Sequence, residues 1–289
     1  MLPIVNRLDE QLACAVNKSM SFKAEDLLLL PTLLGLVASK GQGLAGTFVE
    51  LGAFDGVTDS NTFMLQHCFG WKGVLIEASP LNFRMLNQSG RETGAKLWHS
   101  GVCNSSAGVI KFADGTMCKN QQPCALQTAG AFEFITPNRQ NLRRNHTVPV
   151  RCRPLSDILR DSSLNGPIDF LSLDVEGSEA KVLQTVDPAR FGAVLLESVS
   201  AGTSACRRML EVAGLRRANA SLYPRSRLVM NDVWLGSATR EHHVAGVTWS
   251  REAMKWTNHD VDVLHKPTFS SESLRQAVLA AIREALSSR

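Results

Sequence analysis

Three short apolar runs of this chain end on acids, and the residues beside those acids could do chemistry. Thr47-Phe48-Val49 ends on Glu50, Gly73-Val74-Leu75-Ile76 on Glu77, and Ile168 to Leu173 on Asp174. Glu50 is followed by Gly52 and Gly56, a Glu-x-Gly-x-x-x-Gly pattern. It predicts a strand entering a tight turn, the place where an α/β sheet holds a nucleotide-like ligand. Glycines there allow the backbone to come close to a ligand. An acid at that strand end would repel a pyrophosphate and attract a ligand carrying positive charge. Glu77 follows after about 20 residues, the interval expected of an acid that binds ribose hydroxyls. Asp174-Val175-Glu176-Gly177-Ser178-Glu179 places three carboxylates in six residues. Their mutual repulsion raises at least one pKa if they share a site, which suits a general base or a metal held by oxygen ligands.

Asp174 stands where a doubly wound sheet brings the fourth strand beside the first, and is the leading candidate for a base. Glu176 is the second. Glu179 reads as a cap of the following helix. His99, after Trp98, is either a base or a satisfied core histidine. Glu197 ends a fifth apolar run and faces either an acceptor pocket or solvent. His242-His243 lacks a third ligand at a regular interval, so a metal is not expected there.

The elements that must position these residues alternate between apolar runs and helical patterns from Thr47 onward. That alternation predicts a largely parallel, doubly wound α/β sheet with helices on both faces. A helix capped by Asp59 or Ser60 should run to about Phe69, and another should begin at Ser79-Pro80 and terminate at Gly90. Ala95 to Val102 reads as the third strand, and Val109 to Phe112 as an extra strand outside the crossover pattern. Ala113 to Asn145 is long and polar, and reads as a lid over the acceptor. Order returns from Val148 to Asp161, with Leu155, Ile158 and Leu159 at helical spacing. A helix through Val186 should follow Gly177-Ser178, Ala193 to Glu197 forms the fifth strand, and Leu215 to Ala218 with Leu228 to Leu235 form a terminal antiparallel pair. A buried helix is expected around Leu27 to Ala38, and an amphipathic one from Ser271 to Leu286. The implied division is an N-terminal helical extension (1–46), a central domain (47–236) and a C-terminal extension (237–289).

With 289 residues, 44% of them hydrophobic, the chain can bury a substantial core. The formal charge of +4 and the single Tyr offer no case for nucleic-acid binding. No apolar stretch is long enough to span a bilayer, because Pro31 and Gly35 interrupt the longest. Arg139, Arg143, Arg144, Arg151 and Arg153 with His146 form either a site for an anionic acceptor or a solvated face. The seven cysteines contain no C-x-x-C pair. Cys118 and Cys124 are the pair expected to form a disulfide if the compartment is oxidising. Five Asn-x-Ser/Thr triplets, at Asn17, Asn87, Asn104, Asn145 and Asn219, are compatible with a secretory lumen. The absence of a signal-peptide pattern makes a cytoplasmic location the expectation, with the lumen as alternative.

Three blocks together resemble FkbM-type methyltransferases: Val49 to Thr62 (VELGAFDGVTDSNT), Trp71 to Ala78 (WKGVLIEA) and Ile168 to Glu179 (IDFLSLDVEGSE). The resemblance covers about Ser39 to Gly236. It implies a class I, Rossmann-like methyltransferase fold and S-adenosylmethionine as methyl donor. It also implies a hydroxyl acceptor on a glycan, lipid or small metabolite. The donor site it implies comprises Glu50, Gly52, Ala53, Gly56, Asn61, Glu77, Ala78, Val102 and Asp174, with Asp174, Glu176 and His99 as candidates for catalysis and no metal. The competing reading is a methyltransferase-like module that serves interaction or trafficking without turnover. A nucleotide-sugar or NAD enzyme is opposed by the acid at the first glycine turn.

Overall fold

The computed structural model describes residues 2–41, 43–113, 116–117, 123–124, 130–134, 147–198, 202–218, 231–255 and 261–288. Most of the expected lid from Ala113 to Asn145 lies outside them, as do Cys118, Arg139, Arg143, Arg144 and His146.

Two helices come first, α1 (Leu2–Lys18) and α2 (Glu25–Ser39). The crossover pattern begins with β1 (Thr47–Leu51), α3 (Phe63–Phe69), β2 (Lys72–Glu77), α4 (Pro80–Leu86) and β3 (Ala95–His99). A smaller sheet is built from β4 (Gly101–Val102), β5 (Gly108–Ala113), β8 (Gly130–Ala131) and β9 (Thr147–Arg153), with β6 (Thr116–Met117) and β7 (Pro123–Cys124) paired separately. The main sheet resumes through α5 (Leu155–Asp161), β10 (Ile168–Leu173), α6 (Glu179–Leu183), β11 (Phe191–Glu197), α7 (Thr203–Val212), β12 (Arg216–Arg217) and β13 (Asn231–Leu235). A hairpin of β14 (Thr248–Lys255) and β15 (Val261–Thr268) precedes α8 (Ser271–Ser287).

The seven-stranded sheet has the order β12-β13-β11-β10-β1-β2-β3. Its pairs are parallel except those of β13, which runs antiparallel to β11 and β12. Counting main-sheet strands along the chain, the order is 3-2-1-4-5-7-6 with the seventh reversed, a doubly wound class I arrangement. The winding direction changes between β1 and β10, which opens a crevice at their carboxyl ends.

Alternation along each strand divides the core into two layers. Phe48 and Phe170 pack with Leu30, Leu33, Leu235, Leu274 and Val278 on one face, which joins both extensions to the sheet. Val49 and Leu171 pack with Leu155, Ile158, Val182 and Leu210 on the other. Every residue of α2 up to Ala38 is buried, as an apolar surface on all sides requires.

Several boundaries differ from the sequence expectation. The third strand stops at His99, and Gly101–Val102 joins the smaller sheet beside β9. Ser100 makes the switch, its N–H held by the Glu77 carbonyl at 3.1 Å. The helix after β1 starts at Phe63, because Ser60 and Thr62 are drawn into bonds with Glu50. The helix after Gly177 ends at Leu183. Ser79 caps α4 as expected, accepting from Asn82 N at 3.0 Å.

Candidate active site

The glycine turn is built by bonds within the protein. Gly52 has a left-handed φ of 78°, is solvent-exposed, and donates its N–H to the Ile76 carbonyl at 3.1 Å. A Cβ there would lie 1.8 Å from the Asp174 carbonyl, so only glycine lets β1 and β10 close at this point. Gly56 (φ 80°) is buried instead. A Cβ on it would meet Leu86 Cδ1 at 2.6 Å and Arg91 Cγ at 3.2 Å, which is core and not crevice. Phe54 and Asp59 also have positive φ, a strained pattern for residues with side chains.

Two carboxylates hold the turn. Glu77 is buried at the end of β2; one oxygen accepts from Phe54 N at 2.8 Å and the other from Ser79 N at 2.7 Å. Glu50, also buried, accepts from Ser60 Oγ at 2.9 Å, Thr62 Oγ1 at 2.5 Å and Asn61 N at 2.9 Å. Asn61 extends the network, donating from Nδ2 to Ser172 Oγ at 3.0 Å and accepting from Ser21 Oγ at 2.6 Å. Ala53 is buried behind the turn and Ala78 is half-buried beside Glu77.

The second cluster stands across the crevice, at the ends of β10 and β11. Asp174, Glu176 and Glu197 bring carboxylate oxygens within 4.8 Å of one another. Asp174 is open to solvent on one side, whereas Glu197 is buried. Desolvation and then repulsion by Glu176 push the Asp174 carboxyl up to about 7. Desolvation and then the Asp174 charge push Glu197 up to about 10. The two are hydrogen-bonded, so Glu197 carries a proton that Asp174 accepts. Glu176 has a left-handed φ of 55°. Glu179 faces inward, its Oε1 accepting from Gly177 N at 2.9 Å and Val175 N at 3.2 Å, a local cap. The same three carboxylates are the group among the described residues that could hold a metal ion, so a cation and the shared proton compete for this place.

The remaining candidates lie apart. His99 is exposed at the edge strand, stacked on Phe83 at 4.9 Å and opposite Glu77 in the register. Three strand spacings, about 14 Å, separate β3 from β10, so His99 is not brought to the acids. Val102 packs half-buried in the smaller sheet. His242 bonds through its backbone to Thr32 in α2, far along the chain from the crevice residues. Arg153 is engaged by Asp161 at 2.6 Å and lies over the Trp98 ring. Of the two alternatives left open for Glu197, the structure takes the one away from solvent, beside Asp174. One residue that matters here was missed in the sequence: Arg91, a fully buried cation behind the glycine turn, had no motif to mark it.

The pieces fit S-adenosylmethionine. An exposed glycine presents bare backbone at the switch point, a buried acid ends β2, and the crevice opens toward a carboxylate of raised pKa. No curated protein matches the chain. Among solved structures, FkbM methyltransferase from Methylobacillus flagellatus KT is 13% identical with a TM-score of 0.37, over 66% of this chain and 43% of its own. Precorrin-6y C5,15-methyltransferase from Geobacter metallireducens GS-15 is 11% identical with a TM-score of 0.37, over 82% of each chain. Human methyltransferase 10 domain containing protein is 10% identical with a TM-score of 0.35, over 72% of this chain and 82% of its own. Likenesses this faint add nothing to the fold, which rests on the strand order. The model of the methyltransferase FkbM domain, in contrast, matches residues 50–210, more than half of the chain. The chain therefore belongs to the FkbM methyltransferase family, and its methyl donor is S-adenosylmethionine.

Proposed function

We propose that this methyltransferase transfers its methyl group to a hydroxyl, on a glycan or small metabolite, with Asp174 as the general base. The donor, when bound, supplies a methyl group on a positively charged sulfur. The observation that carries the reading is the hydrogen-bonded pair of Asp174 and Glu197 at the switch point. An alcohol must lose its proton as its oxygen attacks, and the crowd of acids raises the Asp174 carboxyl from its ordinary value toward neutral pH, where a base works best. Asp174 accepts that proton at a carboxylate oxygen. Glu197, protonated, donates to Asp174 and fixes its orientation. Ser172, two residues earlier on β10, ties the base to Asn61 and so to the donor turn.

The assay is methyl transfer from labelled donor to pooled glycans, lipids and small alcohols, followed by product analysis. Label on nitrogen, or no transfer to any hydroxyl, counts against the reading.

We also infer that the chain matures in an oxidising compartment. Cys14 and Cys68 are joined across 54 residues, and Cys103 and Cys152 across 49. Such bonds rarely persist in a reducing cytosol, so they favour the lumen over the cytoplasmic expectation. Asn17, Asn87 and Asn104 are exposed, as glycan acceptors must be. Among the described residues no helix is long and apolar enough to cross a membrane. Peptide mapping without reductant of protein from its native cells tests this; free thiols at all four cysteines would reverse it.

A further inference from the structure

We propose that Arg91 is a positioning residue for the donor turn, and that Glu50 acts on the donor through a lock formed with Arg91 and not through its own charge. Arg91 follows α4, 35 residues from the glycine it serves, and has no exposed surface. Its Nη1 donates to the Gly56 carbonyl and, at 3.1 Å, to Ser60 Oγ. Nη2 donates to Thr62 Oγ1 at 2.8 Å and Nε to Gln66 Oε1 at 2.7 Å. The guanidinium also lies 5.7 Å from the Phe48 ring centroid and 5.6 Å from that of Phe63.

Glu50 stands on the other side of the same two hydroxyls, accepting from Ser60 and Thr62. A hydroxyl has one proton and two lone pairs. Here each gives its proton to the carboxylate and a lone pair to the guanidinium, so neither rotates without losing a charge-assisted bond. The segment from Gly56 to Thr62 is thereby clamped from both sides. Both Glu50 oxygens are taken up by this loop, the residue is 4% exposed, and an arginine charge opposes it. A cationic ligand in the crevice therefore meets a nearly neutral pair. What Glu50 contributes is the shape of the turn, and through Asn61 and Ser172 that shape is tied to the strand carrying Asp174.

The proposal rests on the donor assignment and makes a prediction that a charge mechanism does not share. Thr62→Val and Arg91→Lys leave every charge in place but break the lock, Thr62→Val with almost no change of shape. Calorimetry on the full chain, with S-adenosylmethionine and with S-adenosylhomocysteine as probes, should show both affinities falling about tenfold in each variant. Thr62→Ser, which restores a hydroxyl, should recover most of the loss. Glu50→Gln should weaken both probes by one common factor, although one carries a sulfonium and the other does not. Far-UV circular dichroism checks that each variant is folded; should Arg91→Lys not fold, Thr62→Val with its Thr62→Ser rescue decides. Unchanged affinities in folded Thr62→Val would overturn the lock. So would a Glu50→Gln loss confined to the sulfonium probe, which would return Glu50 to a charge role. Wild-type protein that binds neither probe would sink the donor assignment itself.

Discussion

The two banks of the crevice are built on opposite electrostatic plans. On the β1–β2 bank, Glu50 and Glu77 are buried acids whose oxygens are met by backbone N–H groups and, for Glu50, by two hydroxyls backed by a guanidinium. On the β10–β11 bank, Asp174, Glu176 and Glu197 crowd together, and burial and repulsion leave two of them with raised pKa values. The first plan fixes the shape of the turn; the second raises carboxyl pKa values by crowding acids together.

The largest effect expected from breaking this contrast is on the reactive bank. Asp174→Asn removes the basic lone pair but keeps the size, and single-turnover transfer should fall ~10²- to 10⁴-fold with donor affinity nearly unchanged. Loss of affinity without loss of rate would make Asp174 a binding residue instead.

Next comes the rigid bank. Gly52→Ala forces a Cβ against the Asp174 carbonyl at a left-handed φ, and should cost about 3 kcal/mol or more in thermal or denaturant unfolding. Gly56→Val should abolish donor binding by displacing Leu86 and Arg91, not by filling the ligand's space. Glu77→Ala should weaken donor binding by about 1–3 kcal/mol in calorimetry, because Phe54 N and Ser79 N lose their acceptor. Wild-type affinity in folded Glu77→Ala would remove it from the donor site.

The charge crowd also sets how stability varies with pH. Asp174 is raised from 3.8 to about 7 and Glu197 from 4.5 to about 10, so both hold protons in the folded state that the unfolded chain releases. Stability therefore falls as pH rises through those windows. Asp26, raised by burial to about 6, adds to the same slope. Glu197→Gln stays neutral throughout, so its melting temperature should decline less than that of the wild type between pH 5 and 9, with a gain of about 1 kcal/mol at the upper end. Parallel curves would show that Glu197 titrates normally.

The smallest effect concerns a metal. If a proton holds Asp174 and Glu197 together, millimolar magnesium or EDTA should change turnover less than about twofold, since no ion need polarise the acceptor. A larger response to chelation would place a cation among the three carboxylates and displace the acid-pair mechanism.

What the sequence determined by itself is local. A strand that ends in Glu-x-Gly, or in a cluster of acids, announces its turn through backbone sterics and charge within a few residues, and Glu50, Gly52, Glu77 and Asp174 were all legible that way. So were the parallel main sheet, the buried α2 and the amphipathic α8, because hydrophobic period is written residue by residue. Tertiary structure alone decided which acids meet. Glu197 ends β11 and Asp174 follows β10, 23 positions apart, and only the β10–β11 register joins them. His99, which the sequence left as either a base or a core histidine, is removed from Asp174 by strand order and is exposed. Arg91 carried no motif at all, since a buried guanidinium is defined by the oxygens around it, and those come from Gly56, Ser60, Thr62 and Gln66. The two disulfides were hidden for the same reason: α1 packing on α3, and β4 pairing with β9, set which thiols could join. Pairing across space depends on chain topology, and composition and spacing do not encode it one segment at a time.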